Sequence, residues 1–235
     1  MLSAEREYRK AIELDPIDAT AHQWYAEFLA INGQLTDAIS EVDRAHELDP
    51  LSAVVAAVCG TIRIEARRYE ESLPFADEAL RLDPHYYSIY NNIAAAKEGQ
   101  GRYLEALDAK AKQAEVWGNP VTITAVREEK AVFLEKGVRG LLRERLRRAI
   151  EQATPTQGQY AIARSYCQLG EVTHCLDALE KALSEHGEGA TDILINPGFD
   201  NARGNARFNA LAVRFGLTPN FVSQSRQKGS RLFAP

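Results

Sequence analysis

The tripeptide Leu-Asp-Pro stands at Leu14–Pro16, again at Leu48–Pro50 and again at Leu82–Pro84, so that successive prolines lie 34 residues apart. A proline lacks the backbone N–H that a helix interior needs, and its ring collides with the preceding turn, so each one marks where a helix stops. Before each stop the apolar residues recur at three and four positions, as in Ala38, Val42, Ala45 and Leu48, which is the period of one helix face. A helix stop at a fixed interval demands one structural unit stacked on copies of itself. Midway between prolines lies a second break. Gly33 and Gly101 each follow a proline by 17 residues, where a tight turn between two helices belongs, and Arg67 holds the same place in the unit between them. Small residues repeat on the same register, as Ala38, Ser72 and Ala106 and as Ala11, Ala45 and Ala79, with bulkier Tyr25, Cys59 and Ile93 between. Such positions let neighbouring helix backbones approach closely.

The register slips once. The next turn glycines are Gly137 and Gly170, and Gly-Asn-Pro within Val116–Pro120 is the natural place for the insertion. The stretches "AVFLEKGVRGLLRERLRRAIEQATP" and "YAIARSYCQLGEVTHCLDALEKAL" then read as two more units, the first degenerate. The array is expected over residues 1–186, as a half unit at 1–16 followed by about five full ones. A stacked array needs an end cap, because its last unit otherwise shows an apolar face to water. Residues 187–219 are expected to supply it, with Asn205 capping a helix closed by Gly216 and with Phe208, Leu211, Ala212 and Phe215 on its apolar face. The polar, basic tail at 220–235 is expected to fray.

A period of 34 with two helices per unit resembles the tetratricopeptide repeat, and "WYAEFLAINGQLTDAISEVDRAHELDP" (Trp24–Pro50) carries that family's apolar, small and aromatic spacing almost throughout. The resemblance implies an all-α fold, a right-handed superhelix (α-solenoid) of paired antiparallel helices with a C-terminal helical cap. It also implies a non-catalytic protein-protein interaction module that holds a peptide or a partner helix in a concave groove. The ending "NPGFDNARGNARFNALAVRFGL" is similar to the close of a bacterial tetratricopeptide group whose repeats follow a winged-helix, kinase or cyclase domain, although Asn196, Asn201 and Gly204–Asn205 depart from it. That likeness implies the regulatory part of a bacterial signalling or transcription-regulating protein.

Composition narrows the classes further. A net charge of −5 argues against nucleic acid as a partner. No apolar run approaches the ~20 residues of a membrane span, and "MLSAEREYRK" lacks the apolar stretch of a secretory signal. Three cysteines are too few for a disulfide framework, so the chain reads as cytoplasmic, or as periplasmic if it is the C-terminal part of a membrane-tethered regulator. No nucleophile elbow, phosphate loop or zinc-protease signature occurs, so no enzyme, cofactor or metal is expected. Cys167, His174, Cys175 and His186 form the one metal candidate, but their spacing matches no compact ligand pair. Cys175 instead occupies the small slot of Ala38 and Ala106, and Cys59 an apolar one, so the cysteines read as structural. The basic stretch Arg139–Ile150 reads as a solvated charged face, interrupted by Glu144.

In tetratricopeptide arrays the first helix of each unit lines the groove. On this register the resemblance places Gln23, Glu27, Ala57, Thr61, Asn91, Asn92, Arg127, Tyr160 and Arg164 on that face. Gln23 and Glu27 stand where a carboxylate-clamping groove carries Lys and Asn, and a glutamate repels a carboxylate, so an extended peptide or helix fits better. The alternative is a small-molecule sensor, with a pocket in the groove or beside Tyr160 and Asp192. The opening "AEREYRKAIELDP" matches the second helix of a unit only. The chain is therefore expected to be the C-terminal part of a longer protein, with self-association possible through the half repeat around Tyr8, Ala11 and Ile12.

Overall fold

The computed structural model describes residues 2–154, 158–184 and 192–215. They form α1 (Leu2–Leu14), α2 (Ala19–Ile31), α3 (Leu35–Leu48), α4 (Ala53–Glu65), α5 (Tyr69–Leu82) and α6 (Ile89–Gly99), then α7 (Tyr103–Trp117), α8 (Pro120–Gln152), α9 (Gln159–Gln168), α10 (Val172–Ser184), a 3-10 turn (Pro197–Ala202) and α11 (Ala206–Arg214). No described residue lies in a strand, although Thr154 makes one isolated bridge. The fold is all-α, as the period requires.

The repeated Leu-Asp-Pro does the same thing three times. The backbone N–H of Asp15, Asp49 and Asp83 closes the last turn onto the carbonyl of Ala11, Ala45 and Ala79, at 3.0, 2.9 and 2.8 Å. The proline that follows cannot extend the turn. At the other ends, Asp18 accepts from the N–H groups of Thr20 and Ala21, Ser52 from Val55, and Asn119 from Val121 and Thr122, so side chains satisfy donors that the first turn leaves open.

The five expected turn positions, Gly33, Arg67, Gly101, Gly137 and Gly170, all have positive φ, between 61° and 78°. Four of them build one motif. Gln34 donates to Leu29 O while Gly33 donates to Ala30 O, and the pattern recurs at Arg68 and Arg67, at Arg102 and Gly101, and at Glu171 and Gly170. This is the Schellman ending, which needs one left-handed residue just past the helix. Gly137 differs. Its φ of 64° and ψ of −164° interrupt α8, in a region that residues with a Cβ scarcely enter.

The chain divides into two compact units, Met1–Ala131 and Val132–Pro235. The division falls inside the degenerate repeat. In the first unit α2 pairs with α3, α4 with α5 and α6 with α7, while α1 lies against α2. Ala38, Ala45, Ser72, Ala79 and Ala106 are all fully buried, so the small slots sit at the helix contacts. Polar ties link neighbouring elements. His22 Nδ1 meets Glu41 at 2.7 Å, and His46 meets Glu78 at 3.1 Å. Arg63 is buried, donates to both Asp43 oxygens at 2.7 and 3.0 Å and to Cys59 O, and lies over the Phe75 ring at 4.2 Å.

In the second unit α9 and α10 form the last pair, and residues 192–215 lie over it. Ile193, Leu194, Ile195, Phe199 and Ala202 are buried, as are Phe208, Leu211 and Ala212 of α11. Asn205 caps α11 by accepting from Arg207 N, as expected. Phe215 is exposed rather than part of the apolar face. Gly216, His186, the segment 187–191 and the tail 220–235 lie outside the described residues. The cysteine reading needs a correction: Cys167 and Cys175 are joined by a disulfide across the α9–α10 turn, with Cα atoms 5.1 Å apart. Each cysteine fits an apolar slot when its helix is read alone. Facing each other at a close helix contact, they fall within bonding reach. Cys59 is free and buried, and burial pushes its thiol up to about 12.

Candidate functional site

The leading helices α2, α4 and α6 lie side by side in the first unit, and six of the nine expected site residues sit on them. Gln23 Nε2 donates to Glu27 Oε1 at 2.9 Å, one helical turn away, so this pair presents an acidic, hydrogen-bonded end. In α4, Ala57 is buried and Thr61 donates to Ala57 O at 3.0 Å. Asn92 of α6 reaches across and donates to the same Ala57 O at 3.1 Å and to Thr61 Oγ1 at 3.0 Å. Asn92 therefore joins neighbouring repeats. Asn91 and Ala95 beside it are exposed, and the Asn91 amide has no side-chain partner among the described residues. The face thus runs from acidic at Glu27, through small at Ala57 and Thr61, to an open amide at Asn91.

The remaining candidates fall elsewhere. Arg127 is exposed on the first leg of α8, within the first unit. Tyr160 and Arg164 belong to the second unit. The Tyr160 hydroxyl donates to Asp192 and accepts from Asn196 Nδ2 at 3.1 Å, while Asn196 also donates to Asp192 at 2.9 Å. Burial, then the bond to Asp192, raises the phenol above its ordinary value. Its ring meets Phe199 edge-on at 5.3 Å. The side chain of Arg164 covers Gly198 so closely that a Cβ there would stand 2.5 Å from it. Both residues are engaged with the segment Asp192–Phe199, and the polar groups expected to line a sensor pocket satisfy one another.

Sequence reasoning passed over three features. Trp24 is largely exposed, next in sequence to Gln23. Tyr87 and Trp117 stack with centroids 6.0 Å apart and planes within 4°, both partly exposed. Trp24 and Trp117 are the chain's two tryptophans, and that scarcity was the available signal. The third is an open groove of about 500 Å³ along the second leg of α8, lined by Lys136, Arg139, Arg143 and Arg147 among others. Its charges are mostly paired. Arg143 meets Glu171 at 2.6 Å, and Arg147 meets Glu144 and Glu151 at 2.6 Å each. The bonds from Arg147 hold the Glu144 carboxyl down at about 2.

Among the described residues no group of three or more His, Cys, Asp or Glu stands ready to hold a metal. Cys167 and Cys175 are bonded to each other, and His174 is exposed, stacked on Tyr166. No helix among the described residues is long and apolar enough to cross a membrane.

A tetratricopeptide-repeat family profile matches residues 7–40. The chain is 28% identical over 109 residues to the small glutamine-rich tetratricopeptide repeat-containing protein 2 of Saccharomyces cerevisiae, covering 43% of this chain and 32% of that protein. It thus spans about a third of that relative's length. A solved structure of YrrB, described as a TPR protein with an unusual peptide-binding site, superposes with a TM-score of 0.47 at 18% identity, over 79% of this chain and 95% of that one. Helix pairs at a 34-residue period, Schellman turns and buried small slots in register make these helices tetratricopeptide-like repeats, and the family profile matches them over residues 7–40.

Proposed function

We propose that the chain is a non-catalytic interaction module whose face on α2, α4 and α6 holds an extended peptide or a partner helix. The observation that carries this reading is the Ala57–Thr61–Asn92 arrangement. Those hydrogen bonds tie α6 to α4 and leave small side chains between a polar pair and the open Asn91 amide. A strip of this kind suits backbone hydrogen bonds to an extended ligand, with apolar contact at its centre. Glu27 favours a ligand with a basic residue at that end and disfavours a terminal carboxylate. Arg127, and Tyr160 and Arg164 on the second unit, remain further candidates on the family register.

The regulatory role in bacterial signalling or transcription rests on the likeness of residues 196–217 to the ending of that bacterial group, and the upstream gene sequence tests it directly. The Cys167–Cys175 disulfide favours an oxidising compartment, in support of the periplasmic alternative over the cytoplasmic one. A peptide-array screen, paired with a small-molecule screen, tests the module reading. Peptide ligands whose binding falls with Asn91→Ala and Glu27→Lys support it. Small-molecule ligands without any peptide ligand overturn it.

A further inference from the structure

One residue of the second unit carries three attachments. The carbonyl of Cys167 accepts from Gly170 N at 2.9 Å, which closes the α9–α10 turn, and from Asn201 Nδ2 at 2.8 Å, from the segment that lies over the pair. Its sulfur is bonded to Cys175 of α10. Neither cysteine has exposed surface, and Phe199 and Ala202, on either side of Asn201 in sequence, are fully buried as well. A shift of Cys167 therefore moves the turn, the bond to α10 and the anchor of the covering segment together. The first unit builds the same turn without a bond. Cys167 lies three residues before Gly170 and Cys175 five after it, and the corresponding residues around Gly33 are Ala30 and Ala38, both buried. Two methyl groups suffice there. Bonded sulfurs approach far closer than unbonded ones can, so the cysteine pair fits a close helix contact as a disulfide and overfills it as two thiols.

We propose that Cys167 and Cys175 are a thiol–disulfide switch that sets how firmly residues 192–215 hold to the α9–α10 pair. The reductant is a dithiol. One of its sulfurs, as thiolate, attacks a sulfur of the pair and displaces the other, and its second sulfur then closes on the first and releases the remaining cysteine. Two electrons and two protons pass to the protein, which gains two thiols, while the reductant leaves as a cyclic disulfide. With no exposed surface on either cysteine, attack waits for α9 and α10 to part, so the switch responds at the rate of local opening. Once reduced, the sulfurs must separate, α9 and α10 spread at the Gly170 turn, and Cys167 O leaves the reach of Asn201. Residues 192–215 then loosen and uncover the apolar side chains they bury, Phe199 foremost. Oxidation by a disulfide of the same class reverses each step.

Amide hydrogen exchange on the full chain, oxidised and after treatment with dithiothreitol, tests this beside a thiol count made under denaturing conditions once the reductant is removed. The count should rise from one, Cys59, to three. Exchange across residues 192–215 should quicken about tenfold on reduction, while α2 to α5 stay unchanged. The double variant Cys167→Ala, Cys175→Ala carries the two methyl groups of the first pair. It lacks the bond, as the reduced chain does, so loop closure cancels between them. Its residues 192–215 should exchange more slowly than those of the reduced chain and should ignore dithiothreitol. A pair that dithiothreitol leaves bonded in the folded chain overturns the proposal. So does exchange that reduction leaves unchanged, or a double variant that exchanges as fast as the reduced chain, which would make the bond a plain staple.

Discussion

The two units hold their helix pairs together by different means. In the first, backbones approach through fully buried Ala38, Ala45, Ser72, Ala79 and Ala106, and neighbouring elements are tied by His22–Glu41, Arg63–Asp43 and His46–Glu78. The small slots share one register, so the unit is a series built on a repeated contact, with ties that are particular to each junction. In the second, the pair α9–α10 is fastened by the Cys167–Cys175 disulfide and covered by residues that obey no repeat. Asn201 donates to Cys167 O at 2.8 Å, Arg203 to backbone carbonyls including that of Asn196 at 2.8 Å, and Arg207 to Asp177 and Glu180 at 2.6 Å each. A series propagates by repeating one contact, whereas residues 192–215 hold the α9–α10 pair with contacts made once.

The largest expected effect breaks the end and spares the series. Phe199 is fully buried against Tyr160, and Phe199→Ala should cost about 3–5 kcal/mol in the stability of the second unit. Thermal melts that resolve the two units should show the loss there and leave the first transition in place. The converse is Ala45→Leu. Ala45 has no exposed surface, so a larger side chain should overpack the α2–α3 contact by about 1–3 kcal/mol and lower the melting temperature of the first unit. No change would mean that the small slots are not the close approaches.

Acid should distinguish the units as well. The Glu144 carboxyl is held down at about 2 by Arg147 and Arg148, below its ordinary value of 4.5. A carboxylate with a depressed folded pKa stabilises above the ordinary value and loses that contribution as pH falls through the folded one. The second unit should therefore weaken between roughly pH 4.5 and 2, and Glu144→Gln should flatten that part of the profile in an acid titration followed by circular dichroism. The smallest effect has the opposite sign. Arg67 performs the turn that glycine performs at Gly33, Gly101 and Gly170, at a φ of 61°. Arg67→Gly should relieve about 1 kcal/mol of left-handed backbone cost and raise the melting temperature of the first unit by a few degrees.

These same residues show how far sequence sufficed. The turn at Arg67 was legible although no glycine marks it, because the distance from Pro50 placed it. The small slots, the Asn205 cap and buried Phe208, Leu211 and Ala212 were legible for the same reason: periodicity and capping chemistry are local. The disulfide was not, because the pairing depends on which faces of α9 and α10 meet. Nor was the fate of Tyr160. Register put it on the binding face, but the segment that takes up its hydroxyl obeys no register. The α1 stripe was read as a half repeat around Tyr8, Ala11 and Ile12. Tyr8 and Ile12 pack on α2, with Tyr8 against Tyr25 and Phe28 at 6.0 and 5.4 Å, and only Ala11 of the three is exposed.

The central claim is that the leading helices of the first unit form the binding face, and amide hydrogen exchange with and without a peptide chosen from the array screen tests it most directly. Exchange should slow on α2, α4 and α6, around Glu27, Thr61 and Asn91, and stay unchanged on α3, α5 and α7. Protection confined to α3, α5 and α7, or to residues 192–215, would contradict it.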